Sequence, residues 1–502
     1  MDYAASQATQ IIVLSNREPY KHERDAGGRL HAERSSSGVV NAVEPVLLEH
    51  SGVWVAEGVG EPDREAAQNA DGVNVPPHDP RYRLRRVWLT EKERQGYYYG
   101  FANGALWPLC HRTSVEPVFY ATHFGEYEIV NRRFADAVAE EATVAAPVVL
   151  VQDYHFALAP ALIRRQLPQS HIATFWHIPW PKPDVFAMCP WSQALLEGLL
   201  GSSVVGFQTA VDRDHFFRCV EKLSKAEVDR DASVVNFNGR LIAVGVYPAS
   251  VPWPDNFLSV GSVDDCRSSV RRGFGRSDDV ILGVGVDRLD YTKGLEQKFL
   301  AIERLLECRP SLLGKFAFIQ VAEPSREVLP AYAQTRDRVR ATAQRINERF
   351  APDGPAPLHL IEMHHSSLAV ARLYRAADLC YVSSLHDGMN LVSKEFVSAR
   401  DDEQGVLVLS GFAGASHELR DAVIVNPYDI EQVARSMATA IEMPRPEQRD
   451  RMRRLRRVVA RADASTWAER LISDALSCGS TPARSHPDLR YALSGDDGRL
   501  AM

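Results

Sequence analysis

The sequence lacks the features that would place the chain in a membrane or outside the cell. Among its 502 residues, no apolar stretch approaches the ~18 residues that span a bilayer. The first ten residues, MDYAASQATQ, contain an acidic residue and no basic one, which is unlike a signal peptide. The seven cysteines are scattered, an odd number without the paired short spacing of a zinc site. We therefore expect mostly buried thiols in a reducing cytoplasm, and no membrane partner.

A strong excess of positive charge is also missing. The formal net charge is −7, and 58 lysines and arginines are interspersed with 65 acidic residues, so no basic surface for nucleic acid is indicated. No internal repeat of roughly 20 to 50 residues is present, which argues against solenoids and propellers. The glycine pattern that binds dinucleotides does not follow the first apolar run, where the chain reads SNREPYKHER, and this argues against an NAD-dependent enzyme.

What the sequence does contain is an alternation of apolar runs and helical segments. Hydrophobic residues make up 45% of the chain, enough for about two to four domains with proper cores. The strand-like runs are QIIVLS, PVVLVQ, HIATFW and SVVGF in the first half, and VILGVGV, KFAFIQVAE, LHLIE, LCYVSS, GVLVLS and AVIVNP in the second. Helical segments between such apolar runs predict an α/β fold with two doubly wound parallel sheets.

Three prolines between Val246 and Pro254 interrupt this alternation and predict a linker between domains. We expect one domain over residues 1–250 and a second over 251–478, with the alternative that the last helix packs back on the first domain. Two such domains make a cleft in which ligands usually bind. The polar residues 479–502 are predicted to form a mobile tail. The charged segment Lys21–Arg34 is predicted to be a hairpin or mobile loop, and its role as a lid is a hypothesis.

The first candidate site motif is DRLDYTKGL, which follows the apolar run VILGVGV. Arg288 and Lys293 place two cations just beyond a buried strand, and two cations suit the charge of a pyrophosphate. In open α/β sheets, ligands bind outside the carboxyl ends of the strands. The motif therefore indicates a diphosphate site, although an isolated Arg and Lys at this spacing more often belong to a solvated charged face.

The second motif is HDGMNLVSKE, which follows LCYVSSL. It predicts a helix whose first backbone amides are supplied by Gly388, Met389, Asn390 and Leu391. Free amides and the positive end of a helix dipole favour a diphosphate. Asp387 precedes these amides, and Glu395 lies two turns inside the predicted helix, where a carboxylate can accept hydrogen bonds from ribose or hexose hydroxyls. An Asp-Gly pair alone is more often a turn, but the shared position of the two motifs favours a nucleotide-sugar site.

Polar residues also follow apolar runs in the first half of the chain. Asp153 and His155 come after PVVLVQ, and His177 comes after HIATFW. Adjacent parallel strands can present such side chains to one cleft. A histidine at a strand end is more often structural, and zinc is a second alternative, but no tight ligand spacing supports a metal site.

A scattered group of cationic and aromatic residues forms the last candidate site. Its members are Arg17, Tyr98, Trp107 and Arg326. Two arginines with a phenol and an indole suit a phosphate ester, because guanidinium groups pair bidentately with phosphate oxygens. The two aromatic residues lie in the run GYYYGFANGALWP, and aromatics in such a run are ordinarily core residues. Gly38 is predicted to open a helix near a ligand.

In the order of its motifs, the chain resembles the trehalose-6-phosphate synthase family of retaining glycosyltransferases, from about Ile11 to about Leu476. The matching segments are SNR, YYYGFANGALWP, QDYHFALAPALIR, FWHIPWP, GFQT, DRLDYTKGL, the Arg of EPSR, HDGMNLVSKEFV, GVLVLSGFAGASHEL and VNPYD. The resemblance implies a GT-B fold of family GT20, with two Rossmann-like domains facing a central cleft. It also implies a nucleotide-sugar donor on the C-terminal domain, a phosphorylated sugar acceptor on the N-terminal domain, and neither a metal nor a cofactor.

The resemblance assigns roles residue by residue. The implied catalytic residues are Asp153, His177, Arg288, Lys293 and Asp387. The implied donor-binding residues are Gly38, Arg288, Lys293, His365, Gly388, Met389, Asn390, Leu391 and Glu395. The implied acceptor-binding residues are Arg17, Tyr98, Trp107, Asp153 and Arg326. In the family the leaving phosphate helps to deprotonate the incoming hydroxyl, so no carboxylate nucleophile is needed, and the sequence has no paired-carboxylate signature.

The implied reaction forms α,α-trehalose 6-phosphate from UDP-glucose, or another NDP-glucose, and glucose 6-phosphate in a cytoplasmic homo-oligomer. Two departures stand out: Ser37 and Gly38 replace a glycine pair of the family, and His386 stands where an arginine is common. With SNREPY and the Lys21–Arg34 segment, they leave open a glucosylglycerol-phosphate synthase that uses glycerol 3-phosphate. A non-catalytic sensor of sugar phosphates is the third alternative, but it would lack residues such as His177 or Lys293, which are present.

Overall fold

The computed structural model describes residues 10–25, 27–35, 38–68, 71–253, 260–462 and 464–478. Contacts between Cα atoms divide these residues into two compact units. The first unit contains the residues up to Cys110, Glu116–Pro248 and the residues from Ser465 onward, and the second contains His111–Val115 and Ala249–Ala464. The domain boundaries expected from the sequence remain a proposal, and the expected mobile tail and Ser37 lie outside the described residues.

The first unit combines a large sheet, a hairpin and surrounding helices. Its described strands are β1 Ile11–Leu14, β2 Tyr20–Arg24, β3 Leu30–Arg34, β4 Val53–Gly58, β5 Gly72–Val75, β6 Tyr82–Trp88, β7 Val148–Gln152, β8 His171–Trp176, β9 Val204–Phe207, β10 Glu227–Asp229, β11 Val234–Phe237 and β12 Arg240–Val246. Its described α-helices are, in chain order, α1 Gly38–His50, α2 Glu61–Ala66, α3 Glu91–Arg94, α4 Trp107–His111, α5 Ala121–Glu141, α6 Ala159–Gln166, α7 Pro183–Phe186, α8 Ser192–Leu199, α9 Ala210–Leu223 and, at the end of the chain, α17 Ala464–Cys478. A π-helix over Gln95–Leu106 joins α3 to α4.

The strand order of the first sheet defines its doubly wound topology. The ten strands that the structure describes in it follow the order β10-β11-β12-β9-β8-β7-β1-β4-β6-β5. Within the run from β12 to β6, neighbouring strands are parallel to one another. At the two edges, β10 pairs antiparallel with β11, β11 with β12, and β5 with β6. The winding reverses between β1 and β7, and such a switch point is where doubly wound sheets bind ligands.

The second unit is a smaller sheet covered by helices. Its described strands are β13 Ile281–Arg288, β14 Phe316–Glu323, β15 Leu358–Ile361, β16 Leu379–Val382, β17 Val406–Ser410 and β18 Val423–Val425. Its described α-helices are α10 Val263–Gly273, α11 Leu295–Cys308, α12 Pro330–Phe350, α13 Ser367–Ala376, α14 Leu391–Ala399, α15 Ile430–Glu442 and α16 Arg445–Arg461.

All described strands of the second sheet are parallel, in the order β15-β14-β13-β16-β17-β18. Alternate residues of β14 enter two separate apolar cores, because Ala317 and Ile319 pack in one and Phe316 and Phe318 in the other. A sheet buried on both faces explains the nearly unbroken apolar runs of its strands. The switch point of this sheet lies between β13 and β16.

Most predicted elements are confirmed, and the exceptions have physical causes. All ten strand-like runs are strands, Gly38 opens α1, and the Lys21–Arg34 segment forms the β2–β3 hairpin. Sequence reasoning did not identify β4, β5, β6 or β10 to β12. It also placed Glu395 two turns inside a helix, whereas α14 begins at Leu391 and Glu395 lies about one turn inside it. Five of the seven cysteines are buried, as expected.

Within the part of the chain that the structure describes, no helix has both the length and the apolar character needed to cross a membrane.

Candidate active site

The second unit carries its candidate site at the switch point between β13 and β16. Arg288 is the last residue of β13, and the loop from Ser383 to Asn390 follows β16. After Arg288 the chain makes a short 3₁₀ turn over Tyr291–Lys293. The sequence thus places both predicted motifs at the carboxyl ends of neighbouring parallel strands, as expected for a ligand site.

These two segments are joined by hydrogen bonds to backbone carbonyls. The Ser383 hydroxyl donates to the carbonyl of Lys293 at 2.8 Å, and the Leu385 amide donates to the carbonyl of Thr292 at 2.7 Å. Gly294, with φ of 64°, lies so close that a Cβ there would be 2.4 Å from the Ser383 carbonyl oxygen. Glycine is therefore required by both the left-handed backbone and the close approach.

A nearly buried ion pair joins the two motifs. Lys293 Nζ lies 2.5 Å from Asp387 Oδ2, with the two side chains 11% and 14% exposed. The Ser384 hydroxyl and the Asn390 amide donate to the same carboxylate oxygen at 3.0 and 3.2 Å. Burial would raise the pKa of Asp387, but its interactions, with Lys293 foremost and the Asn390 hydrogen bond among the rest, outweigh burial and hold the pKa at about 2. Asp387 is consequently an anion at neutral pH.

The start of α14 is fixed by its own capping residue. Asn390 has a left-handed backbone with φ of 85°, and its side-chain oxygen accepts a hydrogen bond from the Ser393 amide at 3.1 Å. The preceding loop is tied to its neighbour, because the Ala415 amide donates to the Met389 carbonyl at 2.8 Å. Further along α14, the Tyr374 hydroxyl donates to Glu395 Oε2 at 3.0 Å. The backbone amides at the predicted diphosphate site are thereby held in one arrangement.

Sequence reasoning missed Asp290, which lies between Arg288 and Lys293 in the first motif. Its side chain is fully buried, with Oδ2 3.9 Å from Arg288 Nη2 and 3.5 Å from Arg326 Nη1. Burial would raise its pKa, but Arg288, Arg326 and Lys293 together hold the pKa below its ordinary value. The sequence signal for Asp290 is a carboxylate between two cations in DRLDYTKGL. The same pattern occurs on solvated charged faces, so it does not single out a site residue.

The first unit holds Asp153 and His177 next to each other. The Asp153 carboxylate accepts a hydrogen bond from the His177 backbone amide at 3.1 Å, and the His177 ring lies 2.9 Å from Gln152 Oε1. Its imidazole packs edge-on against Phe175, with ring centroids 4.6 Å apart. Burial lowers the pKa of His177 to about 3, so the imidazole is neutral at neutral pH.

The other predicted residues of the first unit lie on different elements. Tyr98 stacks on His155 with ring centroids 5.8 Å apart, and Trp107 is buried against Tyr154. Arg17 follows β1 and is exposed. Gly38 begins α1.

Two further predicted residues lie in the second unit. Arg326, predicted with Arg17 to bind the acceptor, lies beside Asp290 and donates to the Tyr332 hydroxyl at 2.7 Å. His365 follows β15 and its ring nitrogen lies 3.1 Å from the Met363 carbonyl oxygen.

Backbone conformation singles out some of these positions. Nine non-glycine residues in the described ranges have a positive φ, and three of them are Asp153 with 74°, Arg326 with 47° and Asn390 with 85°. Such conformations are unfavourable for ordinary side chains and cluster at functional sites, where the surrounding structure enforces them. The structure thus brings the predicted diphosphate residues together, whereas the roles of all these residues stay predictions.

Comparison with known proteins places the chain in a family. The model of glycosyltransferase family 20 matches residues 9–477. The trehalose-6-phosphate synthase of Mycobacterium avium (strain 104) is 35% identical over 479 residues, which cover 93% of this chain and 95% of that protein. The trehalose-6-phosphate synthase of Mycobacterium sp. (strain JLS) is 36% identical over 480 residues, covering 93% and 96%.

Solved structures resemble the chain over the same length. The E. coli trehalose-6-phosphate protein bound with UDP-2-fluoro glucose has a TM-score of 0.82 at 30% identity, covering 93% of this chain and 99% of that one. The Burkholderia xenovorans alpha,alpha-trehalose-phosphate synthase (UDP-forming) in complex with glucose-6-phosphate has a TM-score of 0.82 at 29% identity, covering 93% and 100%.

Fold and site together define a glycosyltransferase with two doubly wound Rossmann-like units, the GT-B class, as the sequence predicted. The chain belongs to glycosyltransferase family 20.

Proposed function

We propose that this chain is a retaining glucosyltransferase that transfers glucose from UDP-glucose to glucose 6-phosphate, forming α,α-trehalose 6-phosphate and UDP. The observation that carries the proposal is the group of Arg288, Lys293 and Asp387 at the switch point of the second sheet, in a chain of family 20. The relatives are named trehalose-6-phosphate synthases, and two of the similar solved structures are bound to UDP-2-fluoro glucose and to glucose 6-phosphate respectively. They do not favour the glycerol 3-phosphate alternative or the non-catalytic one.

In the proposed reaction the bond between glucose C1 and the UDP oxygen breaks, and a bond forms between C1 and the acceptor hydroxyl oxygen. The hydroxyl proton goes to the departing diphosphate. Arg288, Lys293 and the amides from Gly388 to Leu391 stabilise the negative charge that builds up on this diphosphate, and such electrostatic stabilisation is usually the largest single contribution to catalysis. Glu395 would accept hydrogen bonds from the ribose, and His365 would lie near the nucleobase.

The glucose that is transferred needs neutral and anionic contacts more than cations. Asp387, held ionised by Lys293, and Asp153 would accept hydrogen bonds from sugar hydroxyls. His177 would contact the same sugar as a neutral imidazole, because its pKa of about 3 keeps it uncharged. Arg17, Tyr98, Trp107 and Arg326 would bind the acceptor phosphate, and Gly38 would allow the donor to approach the backbone.

The experiment is UDP release from UDP-glucose by the purified protein, with glucose 6-phosphate and glycerol 3-phosphate as separate acceptors and the product linkage determined by NMR. We expect turnover with glucose 6-phosphate and a 1,1-linked α,α product. Lys293→Met should lower kcat/KM by on the order of 100-fold, because it removes a cation from the leaving group. Lys315→Met, at an exposed position, is the matched control and should be active. Turnover with glycerol 3-phosphate alone would overturn the acceptor assignment.

The base of the donor, the assembly and the location are separate parts of the proposal. ADP-glucose and GDP-glucose in the same assay measure the preference for uracil. We also propose a homo-oligomer, which light scattering on the purified chain would test, and a cytoplasmic location, which fractionation of cells would test.

A further inference from the structure

The carboxylate of Asp290 is shared between two tasks. One oxygen, Oδ1, accepts hydrogen bonds from the Thr292 amide and the Thr292 hydroxyl, each at 3.0 Å, and so caps the turn that leads to Lys293. The other oxygen, Oδ2, faces Arg326 Nη1 at 3.5 Å and Arg288 Nη2 at 3.9 Å. Neutral side chains such as Asn or Ser can cap a turn, so the buried negative charge requires another explanation.

The two arginines explain the buried negative charge of Asp290. A buried carboxylate is costly unless cations or hydrogen bonds compensate it. The distances of 3.5 and 3.9 Å are longer than the roughly 2.7 to 3.2 Å of a hydrogen bond, so Asp290 attracts both guanidinium groups electrostatically without a direct hydrogen bond to either. The Asp290 carboxylate can therefore restrain the positions of Arg288 and Arg326 without setting the direction of their hydrogen bonds, which other partners determine.

The position of Arg326 supports the same interpretation. Its side chain is 6% exposed, and its backbone has a left-handed φ of 47°. Its guanidinium donates to the buried Tyr332 hydroxyl at 2.7 Å. The surrounding structure thus fixes Arg326 in an unfavourable conformation, which is typical of residues whose placement matters for function.

We propose that Asp290 is a positioning residue that orients Arg288 toward the diphosphate of the nucleotide sugar and Arg326 toward the phosphate of the acceptor. The inference rests on the proposed function, because it takes the substrates from there. It connects two residues that were assigned to different substrates, and it assigns a role to the buried charge between them. A carboxylate acting through both arginines should affect both substrates, whereas a turn cap should act mainly on folding.

Asp290→Asn tests the proposal, because it keeps an oxygen that can accept from Thr292 and removes the charge. We expect kcat/KM to fall at least tenfold when UDP-glucose is varied and at least tenfold when glucose 6-phosphate is varied. In an Arg326→Met background, the effect of Asp290→Asn on glucose 6-phosphate should disappear, since Asp290 would act through Arg326. Effects that simply multiply in the double variant would overturn the proposal.

Thr292→Val is the matched control, because it removes one hydrogen bond of the cap and leaves the charge of Asp290. Thr292→Val should change kcat/KM less than threefold, and a loss equal to that of Asp290→Asn would mean that the cap, not the charge, explains the effect.

If Asp290→Asn does not fold, the single variant Arg326→Met tests the proposal by itself. Freed from Arg326, the carboxylate should draw Arg288 closer and change the KM for UDP-glucose at least threefold, so an unchanged KM overturns the proposal. An inactive wild-type protein would contradict the proposed function instead, since every comparison starts from wild-type turnover.

Discussion

The Lys293–Asp387 pair is better explained by chemistry than by stability. Taking two charges out of water costs free energy that their attraction only partly returns, so well-packed apolar residues would stabilise such a position equally well. The pair instead fixes a cation and an anion 2.5 Å apart between two strand ends, with Ser384 and Asn390 completing the hydrogen bonds of the carboxylate. This arrangement is preorganised for a ligand that has both phosphate oxygens and sugar hydroxyls.

At the same scale, His177 gives the protein a characteristic response to acid. In the folded protein His177 stays neutral until the pH approaches 3, whereas in the unfolded chain it takes up a proton near 6.5. The unfolded state therefore binds more protons between pH 6.5 and 3, and the folded state loses stability as the pH falls through this window. At pH 5 the loss is up to about 2 kcal/mol relative to neutral pH.

The measurement is urea unfolding of wild-type protein and His177→Gln at pH 7.5 and pH 5. Wild type should lose more free energy of unfolding between the two pH values than the variant, which has no imidazole to protonate. Equal losses in the two proteins would mean that His177 is not the buried neutral group that its surroundings indicate.

At the scale of elements, every strand that the sequence predicts in the two sheets is an apolar run, and β6 is missed because it carries buried charge. The runs VILGVGV and LCYVSS identify β13 and β16 without help from tertiary structure. The strand β6 reads YRLRRVW, and its arginines obscure the apolar pattern by which a buried strand is predicted. Arg86 is fully buried there, paired with Glu18 at 2.6 Å and Asp63 at 2.9 Å. These partners are distant in sequence, so no local pattern indicates the pairing.

The residues of the candidate site likewise divide into those that the sequence reveals and those that only the folded structure reveals. Arg288, Lys293 and Asp387 were found because each lies at or soon after the end of an apolar run. The role of Asp290 was missed because its partner Arg326 lies 36 positions further along the chain, and only the parallel pairing of β13 with β14 brings the two segments together. Sequence patterns thus locate strand ends, whereas contacts between neighbouring strand ends require the folded sheet.

The cluster around Arg86 anchors the β2–β3 hairpin to the first sheet. His22 in β2 lies 3.1 Å from Asp63, and Arg86 donates to the Tyr20 carbonyl at 3.0 Å. Burial raises the pKa of Glu18 to about 8, so Asp63 is the charged partner of Arg86 at neutral pH. Arg86→Met would leave the Asp63 carboxylate buried without this cation.

We therefore expect Arg86→Met to lower the free energy of unfolding by about 3 to 5 kcal/mol, the usual cost of breaking a buried pair. Arg83→Met is the matched control on the same strand. Its side chain is 40% exposed and pairs with Glu141, and loss of such a surface pair typically costs no more than about 1 kcal/mol. Chemical unfolding measures both, and a similar loss in the two variants would contradict a central role of the buried cluster.

At the scale of the whole molecule, the first unit is built from both ends of the chain. The helix α17 packs within it, since Trp467 donates to the Tyr247 carbonyl at 3.0 Å and the Tyr247 hydroxyl donates to Asp474 at 2.6 Å. Trp467 also packs edge-on against Phe175 at 4.9 Å. The first unit therefore lacks part of its core until the last helix has been synthesised.

Removing residues 464–502 should consequently destabilise the first unit, because the buried faces of Phe175 and Tyr247 would be exposed to water. Loss of a large buried aromatic side chain such as Trp467 typically costs about 3 to 5 kcal/mol, and the deletion removes the rest of α17 as well. Removing residues 479–502 alone keeps α17 and is the matched comparison. Thermal unfolding and limited proteolysis with mapped cleavage sites distinguish the two proteins. We expect a lower Tm and early cleavage before residue 248 only in the longer deletion, and cleavage confined to residues beyond 260 would contradict a contribution of α17 to the first unit.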